Sequence, residues 1–374
     1  MKASTVRALL TLLILTMATV NASGTSYTIT DLGTLGGTES RAEGINNRGQ
    51  VVGYYSYGFY AGAYSTKRAF LYDGGVMHDL GTLEGTNNSM ALGINDAGQV
   101  TGYSFTTGQA IQKAFIYSNG VMQDIGTLGG GSVAYDINNV GQVTGVSKSI
   151  AFIYSGGTMQ SLGTLGGSYS YAYSINDYGQ VVGYSRTNYS QTHAFLYTGG
   201  IMQDLGTLGG TNSGALGINN IGQVVGYSQL AGDSSYSPFL YSDGIMQNLG
   251  SLGEGYSYAY SINNLGQILV YYPPSVEGTN VFLYSDGIMT NLSSLISDPS
   301  WVIIGASDIN DIGQIVGLGR HNGEYRAFLM SPDSNIAPIP EPSTLFLLGA
   351  GLVGMGLLRR KFDGRVKDHK NRTL

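Results

Sequence analysis

The sequence predicts an all-β protein: a seven-bladed β-propeller of four-stranded antiparallel blades, closed by its N- and C-terminal strands and followed by a C-terminal hydrophobic helix. Three observations predict this fold. The stretch INNRGQVVGYYS, which begins at Ile45, recurs in related form, so that seven copies are present in all. Two other motifs keep the same period, and the chain begins and ends with part of a repeat.

The spacing of the copies is typical of repeated supersecondary units. Successive INN motifs are 49, 43, 38, 43, 44 and 47 residues apart, within the range of roughly 20–50 residues expected of propellers and related repeat folds. The INN motifs begin at Ile45, Ile94, Ile137, Ile175, Ile218, Ile262 and Ile309. Motifs of the AFLY type begin at Ala69, Ala114, Ala151, Ala194, Pro238, Val281 and Ala327. Motifs of the DLGTLGG type begin at Asp31, Asp79, Asp124, Ser161, Asp204, Asn248 and Asn291.

One repeat contains four predicted strands. In residues 194–228, AFLY and IMQDLG are separated by a Gly-Gly turn, which is typical of a tight β-hairpin. TNSGALGIN then forms a third strand, and a turn at Asn220 leads into QVVGYS, the fourth. The residue after the motif's first Asn is Asn in four copies and Asp in three, so we interpret it as a hydrogen-bonding turn position that is indifferent to charge. A calcium loop would instead require carboxylates at several fixed positions.

The ends of the repeat region predict ring closure. YTITDLG, from Tyr27, matches the second strand of a repeat, and AFLMS, from Ala327, matches the first. Each segment is the missing partner of the other, so we expect the two to pair and complete one blade.

Composition excludes several kinds of function. The 374-residue chain has no Cys, which excludes disulfides, thiolate catalysis and Cys-ligated metals. Residues 23–358 hold nine Lys/Arg and 22 Asp/Glu, a net charge of −13, so we expect no nucleic-acid partner. None of the four histidines has zinc-site spacing, and the Gly-Gly pairs do not open helices as a phosphate loop would. We therefore predict neither a metal nor a cofactor. The histidines are His78, His193, His321 and His369.

The connections between the fourth strand of one repeat and the first strand of the next vary most, and loops on a rigid scaffold are where binding sites usually lie. Exposed Tyr rings can stack on sugar faces while their hydroxyls form hydrogen bonds. We therefore predict a non-catalytic binding or matrix module for a polysaccharide or a protein, although Tyr also suits β-strands by propensity alone. The candidate ligand-binding residues are Tyr54, Tyr55, Tyr57, Tyr60, Tyr64, Tyr184, Arg186 and Tyr189.

A secreted polysaccharide hydrolase or lyase is the alternative. Separate blades can bring acidic residues together at one mouth of the channel, and glycosidases need two carboxyl groups about 5–9.5 Å apart. The candidate acids are Glu39, Glu43, Glu84, Asp233 and Glu254.

The N-terminus has the pattern of a secretory signal peptide. Lys2 and Arg7 precede an apolar stretch, residues 8–20, and small residues follow at Ala22 and Ser23. This pattern predicts cleavage after Ala22. Residues 1–22 are thus the predicted signal peptide and residues 23–336 the propeller.

The C-terminus combines a proline motif, an apolar segment and a basic tail. Pro340, Glu341 and Pro342 lie in a linker, residues 337–343. The apolar run at residues 345–358 would be about 21 Å long as a helix, against a hydrocarbon core of about 30 Å. Arg359 and Arg360 begin a basic tail that should remain cytoplasmic. Residues 344–374 therefore form a predicted short transmembrane helix with a basic tail, and an ordinary tail anchor is the alternative interpretation.

Two parts of the chain resemble known families. Pro340-Glu341-Pro342, the short apolar segment and the basic cluster at Arg359-Arg360 resemble the PEP-CTERM sorting signal of Gram-negative bacteria. The resemblance implies handling by an exosortase-type membrane enzyme that cuts near the proline motif, with transient residence at the inner membrane and then a periplasmic, cell-surface or extracellular location. The order AFLY, DLGTLGG, IN and GQVVG in residues 27–331 resembles the HAF repeat of bacterial extracellular proteins, which implies location and no specific chemistry.

Overall fold

A computed structural model describes residues 26–57, 66–108, 111–188, 191–232, 235–250, 255–272 and 281–333. These residues form seven four-stranded antiparallel sheets. The predicted seven-bladed β-propeller of four-stranded blades is confirmed. A single turn of 3-10 helix, Leu292–Leu295, follows the outermost strand of the sixth blade.

Each blade has the same strand order from the channel outwards. We number the strands in chain order. The chain's first strand is β1 (Tyr27–Asp31). Blade 1 consists of β2 (Glu39–Ile45), β3 (Val51–Tyr57), β4 (Thr66–Asp73) and β5 (Val76–Asp79). Blade 2 consists of β6 (Asn88–Ile94), β7 (Val100–Phe105), β8 (Gln112–Ser118) and β9 (Val121–Asp124). Blade 3 consists of β10 (Ser132–Ile137), β11 (Val143–Ser147), β12 (Ile150–Ser155) and β13 (Thr158–Gly163).

The remaining blades follow the same plan. Blade 4 consists of β14 (Gly166–Ile175), β15 (Val181–Thr187), β16 (Thr192–Thr198) and β17 (Ile201–Asp204). Blade 5 consists of β18 (Gly209–Ile218), β19 (Val224–Leu230), β20 (Tyr236–Ser242) and β21 (Ile245–Asn248). Blade 6 consists of β22 (Tyr258–Ile262), β23 (Ile268–Tyr271), β24 (Val281–Ser285) and β25 (Ile288–Asn291). Blade 7 consists of β26 (Trp301–Ile309), β27 (Ile315–His321), β28 (Glu324–Pro332) and β1.

The blades begin two strands later than the sequence repeat. The third strand of the repeat, such as β18, is the innermost strand of a blade, so each repeat contributes two strands to one blade and two to the next. The reason is that the DLGTLGG segment is a crossing between blades, from the outermost strand of one to the innermost strand of the next. Its Leu80 and Leu83 lie in a core shared by blades 1 and 2.

The ring closes as the sequence predicts. β1 pairs with β28 from Tyr27 opposite Pro332 to Asp31 opposite Phe328. The N-terminal strand is thus the outermost strand of the blade whose other three strands are the last three of the chain.

The first Asn of each INN motif joins neighbouring blades at the channel axis. The Asn46 side-chain oxygen accepts the backbone N–H of Gln50, and its Nδ2 donates to the Gln50 side chain and to the backbone oxygen of Asn95 in blade 2. The same inter-blade bond repeats around the channel until Asn310 donates to the backbone oxygen of Asn46 at 2.9 Å. Seven such bonds form a closed circle, formed by Asn46, Asn95, Asn138, Asn176, Asn219, Asn263 and Asn310.

The next residue forms a second circle, in which the Asn/Asp choice is not arbitrary. The backbone N–H of each member donates to the side-chain oxygen of the next, at 2.7–2.9 Å. In order around the channel the members are Asn47, Asp96, Asn139, Asp177, Asn220, Asn264 and Asp311. No Asp neighbours another Asp, and three is the largest number of acids that a ring of seven can hold in this way. This arrangement indicates that the Asn/Asp choice depends on the neighbouring blades.

The physical reason is that amide groups separate the acids. Asn47 Nδ2 contacts a carboxylate oxygen on each side, of Asp96 at 3.3 Å and of Asp311 at 3.0 Å. Asn220 Nδ2 donates to Asp177 at 2.8 Å. Two adjacent carboxylates would repel each other and would have no donor between them.

The hydrophobic core lies between blades. Each AFLY phenylalanine of blades 1–5 and 7 is fully buried, and the alanine of the innermost strand packs in the same cluster, as Ala91 and Phe115 do. The glycine in the VVG motif is required by close approach. A Cβ on Gly53 would lie 2.0 Å from the backbone oxygen of Arg41 on the innermost strand, a distance that no real contact allows.

Two predicted segments lie outside the described residues: the signal peptide with its cleavage point at Ala22, and the C-terminal segment with Pro340, Glu341, Pro342, Arg359 and Arg360. Of the part of the chain that the structure describes, no helix is long and apolar enough to cross a membrane.

We predict that moving an acid within the second circle will reveal its alternation. Asn220→Asp places an acid beside Asp177 and should lower the free energy of unfolding at pH 7 by about 1–2 kcal/mol, because like charges then meet and a donor is lost. The double swap Asp177→Asn with Asn220→Asp restores a ring without adjacent acids and should recover most of that loss. Urea unfolding of the two single variants, Asn220→Asp and Asp177→Asn, and of the double swap measures the coupling energy between the two positions. Additive effects would contradict the alternation.

Candidate ligand-binding channel

The propeller has two different faces. One face carries the INN turns and, in blades 1–6, the turns between the third and fourth strands. We call it the ring face, since the two Asn circles lie there. We call the opposite face, where the second strand of each blade connects to the third, the loop face. The ring-face turns between third and fourth strands are two-residue hairpins with positive φ angles, as at Asn119 and Gly120, which confirms the predicted turn chemistry.

A β-bulge in every blade directs one side chain into the channel. In each innermost strand, the third residue from the end is left out of the pairing with the second strand. Glu43 is such a residue, between Ala42 and Gly44. Such bulges re-aim side chains, and here all seven line one cavity of about 240 Å³ below the Asn circles. The bulged residues are Glu43, Leu92, Tyr135, Tyr173, Leu216, Tyr260 and Ser307.

Two acids in the wall of this cavity join blades together. Asp136 accepts hydrogen bonds from the Ser174 hydroxyl at 2.9 Å and from the backbone N–H of Ile175 at 3.0 Å in the next blade. Asp308 accepts bonds from the Ser261 hydroxyl at 2.7 Å and from the backbone N–H of Ile45 at 3.1 Å, on its two sides. Sequence reasoning missed both acids; the available signal was an Asp where other repeats have Gly or Ser.

Desolvation raises the pKa of both acids. Burial, with a further contribution from the charge of Asp136, raises the pKa of Asp308 to about 6, against the opposing effect of its hydrogen bonds. Burial likewise raises the pKa of Asp136.

A wider pocket of about 500 Å³ lies between blades 1, 6 and 7. It contains an ion pair, Arg41 Nε to Glu43 Oε1 at 2.8 Å, and burial raises the pKa of Glu43 while Arg41 opposes the rise. The space exists because blade 7 has small residues, Gly305 to Ser307, where blade 6 has tyrosines. The volume is within the range of small-molecule sites, about 300–1,000 Å³.

The aromatic wall of the pocket comes from blade 6. Tyr258, Tyr260 and Tyr271 line it. The Tyr260 hydroxyl is buried and interacts with the backbone of Ala306 in blade 7, outside normal hydrogen-bond geometry. A buried polar group usually has a hydrogen-bond partner, and the candidate partner here is the backbone of the neighbouring blade.

Tyrosines continue around the channel in two clusters. On blades 3 and 4, Tyr173 lies 5.0 Å from Tyr135 and 5.6 Å from Tyr184, measured between ring centroids. On blades 5 and 6, Tyr227 lies 5.0 Å from Tyr258 and 5.3 Å from Tyr236. Tyr227 can reach this position because Gly214 lies beneath its ring, where a Cβ would come within 2.6 Å of it.

These phenols remain protonated at physiological pH. Burial raises the pKa of Tyr135 to about 12, and burial also raises the pKa of Tyr173, Tyr227 and Tyr258. Each hydroxyl can therefore donate as well as accept a hydrogen bond.

The structure separates the predicted ligand-binding residues. Tyr184 joins the cluster on blades 3 and 4, and the Arg186 guanidinium lies 5.7 Å from the Tyr169 ring centroid in the same blade. Tyr54 and Tyr57 are on blade 1; Tyr54 is half-buried with Lys67 Nζ 4.8 Å from its ring centroid, and Tyr57 is 44% exposed.

Tyr55 does not fit a binding role, because it is only 2% exposed and its ring packs in the core between blades 7 and 1. Along β3, side chains alternate between faces, so Tyr55 points away from Tyr54 and toward the side of Tyr57, whose ring centroid lies 5.4 Å away. Three further candidates lie outside the described residues: Tyr60, Tyr64 and Tyr189.

Of the acids named for an enzymatic site, Glu43 alone lines the described cavities. Glu39 accepts a hydrogen bond from Ser56 at 2.6 Å, and Glu84 is exposed in a loop-face crossing. Glu254 and Asp233 lie outside the described residues. The described residues contain no group of three or more His, Asp or Glu side chains placed to hold a metal ion.

The DLG aspartates have a structural role. Asp79 Oδ1 accepts the backbone N–H of Gly81 at 2.9 Å, an Asx turn that begins the crossing between blades. The same bond is made by the Ser161 hydroxyl oxygen and by Asn248. His193 pairs with one of these acids, Asp204, at 2.8 Å.

Comparison with known proteins identifies the C-terminal signal. Residues 338–361 match the PEP-CTERM protein-sorting motif. The motif indicates an exported protein of a Gram-negative bacterium and implies sorting by an exosortase, as predicted. No curated protein matches the chain.

Solved structures share the fold at low sequence identity. The β-propeller domain of the Trilobed protease from Pyrococcus furiosus, which has an open velcro topology, matches with a TM-score of 0.52 and 9% identity over 82% of this chain and 99% of that one. The extracellular domain of a putative one-component system from B. thetaiotaomicron matches with a TM-score of 0.50 and 12% identity, over 81% of this chain and 39% of that one. These likenesses show the propeller fold.

We predict a pH dependence of stability from Asp308. Because its pKa is higher in the folded than in the unfolded chain, the folded state binds the proton more tightly, and stability should fall as pH rises from about 4 to about 6 and then level off. The contribution is up to about 3 kcal/mol. Urea unfolding between pH 4 and pH 7 should show a smaller fall for Asp308→Asn. The control Asp243→Asn, in an exposed hairpin turn, should keep the wild-type fall; equal profiles for all three proteins would contradict the prediction.

Proposed function

We propose that this protein is an exported, surface-sorted binding module without catalytic activity, and that its ligand is a polysaccharide chain held in the channel pocket between blades 1, 6 and 7. The observation that carries the proposal is the combination in one pocket of tyrosine rings, the Arg41–Glu43 ion pair and the buried Tyr260 hydroxyl. Aromatic faces stack on sugar rings, and the polar groups fix the orientation of hydroxyls.

The tyrosine clusters support a site for an extended ligand. They continue the aromatic lining from the pocket around blades 3 to 6, and their protonated hydroxyls match the donors and acceptors of sugar hydroxyls. Tyr184 packs against Tyr173 in this lining, and Arg186 lies over the Tyr169 ring in the same blade. The likeness of the repeats to HAF repeats supports an extracellular setting.

A hydrolase or lyase is the second candidate, and one observation favours it: Glu43, Asp136 and Asp308 line the same cavity. Against it, the carboxylate oxygens of Asp136 and Asp308 already accept hydrogen bonds from serine hydroxyls and backbone N–H groups that join the blades. Release of reducing or unsaturated ends from bacterial exopolysaccharide by the wild type, abolished in Asp308→Asn, would favour the enzyme over the binding module.

We predict that the channel ion pair governs binding. On a glycan array, Arg41→Gln should weaken retention of the bound glycan at least about tenfold, because the pocket loses a charged donor and the partner that orients Glu43. The control Arg68→Gln removes an ion pair of the same blade outside the channel, with Asp79 at 2.7 Å, and should bind as the wild type does. Equal binding by both variants would move the ligand site elsewhere.

We further predict that the sorting motif is a processing site. In a host with an exosortase, Glu341→Gln should keep the tail on the protein, whereas the wild type should lose it near Pro340-Glu341-Pro342. Intact mass measurement of the surface or secreted form distinguishes the two. A wild-type surface protein that keeps every residue to Leu374 would instead indicate an ordinary tail anchor.

A further inference from the structure

The ring face exposes apolar side chains that the fold does not require. The third residue after the isoleucine of the INN motif lies at the tip of a turn, where blades 1 and 2 have Arg48 and Ala97. In the other five blades this tip is a large apolar residue, 59–78% exposed: Val140, Tyr178, Ile221, Leu265 and Ile312. Since Arg is accepted at the same place, turn geometry does not explain the apolar choice.

An outer set of exposed apolar residues surrounds these turn tips. The first residue of the outermost strand follows a ring-face hairpin turn, and in five blades it is a β-branched residue that is 54–71% exposed. These residues are Val76, Val121, Ile201, Ile245 and Ile288. Ten exposed apolar side chains on one face form the kind of surface that binds another apolar surface.

The course of the chain indicates what covers this face. Tyr27 and Pro332 are paired at the ring-face end of blade 7, where Pro332 lies beside the INN turn at Gly313. The chain therefore leaves the propeller from the ring face. Only residues 334–344 separate the last described residue from the apolar segment that begins at Leu345, a length of chain that can span at most about 40 Å.

We propose that the ring face lies against the lipid bilayer while the C-terminal segment is inserted, so that the loop face and its ligand pocket point away from the membrane. This inference rests on the proposed membrane stage of sorting. The tether keeps the face at high effective concentration near the lipid, and the apolar side chains enter the interfacial region.

The charges of the ring face define the kind of lipid. Seven acids and one base lie there among the described residues: Asp73, Asp96, Asp177, Asp243, Asp286, Asp311, Asp333 and Arg48. Anionic headgroups would repel such a surface. The lipid partner is therefore a zwitterionic surface, and contact should weaken as the anionic fraction rises.

The test uses tryptophan as a reporter on each face of the full mature chain in phosphatidylcholine vesicles. The chain has one tryptophan, Trp301, which is 6% exposed at the loop-face end of blade 7. Tyr178→Trp adds a reporter on the ring face, and Ile111→Trp adds a matched one on the loop face, at a site that is 63% exposed. Brominated phosphatidylcholine quenches tryptophans that reach the acyl chains.

We expect brominated lipid to quench the added emission of Tyr178→Trp at least about twofold more than that of Ile111→Trp. Replacing Ile221 and Leu265 by Ser in the Tyr178→Trp background, or adding phosphatidylglycerol, should reduce this quenching. Equal quenching of the two reporters on vesicles that carry the protein would overturn the orientation and leave membrane insertion of the tail intact. Failure of the chain to float with vesicles would overturn both. Without lipid, self-association of the protein could bury the tryptophan added by Tyr178→Trp. In that case a second copy covers the ring face and the lipid proposal is overturned.

Discussion

The circle of Asn side chains at the channel axis is the constraint on which the rest of the structure depends. Each of these amides binds the turn that follows it and the backbone oxygen of the neighbouring blade, as Asn46 does with Gln50 and Asn95. All seven innermost strands must therefore end at the same height, and the circle closes only when the last member reaches the first. Because the side chains and the carbonyls are buried, one missing member would leave neighbouring polar groups without partners, at a cost of about 1–3 kcal/mol each.

This constraint explains why the fold could be predicted from the sequence and the pocket could not. The INN motif, the VVG glycine and the AFLY phenylalanine recur because each blade needs the same turn, the same close approach and the same core contact. Repetition therefore predicted seven blades and the pairing of the segment from Tyr27 with the segment from Ala327. It was harder to predict which strand of the repeat begins a blade. Nothing in the crossing segment distinguishes a connection within one sheet from a connection between two sheets.

The binding pocket depends on departures from the repeat at the bulged position and nearby. At the bulge, blade 1 has Glu43, blade 7 has Ser307 and three blades have tyrosine. A sequence comparison of the repeats shows this variation but gives no reason to expect these residues in one cavity, since they are far apart in the chain and their common direction comes from a bulge. The candidate residues were chosen because the loops vary in length. One of the blade 1 tyrosines chosen in this way, Tyr55, belongs to the core.

The second circle shows how identical blades can tolerate unequal residues. Going round the channel, each acid has an amide on both sides, so the choice at Asp177 is linked to Asn139 and Asn220, which are 38 and 43 residues away. Seven is odd, so strict alternation is impossible and one amide pair, Asn220 and Asn264, must remain. The copies in this protein are therefore not independent: the ring makes the permitted residue of each blade a function of its neighbours, and charge at the axis reaches its maximum of three without any two acids in contact.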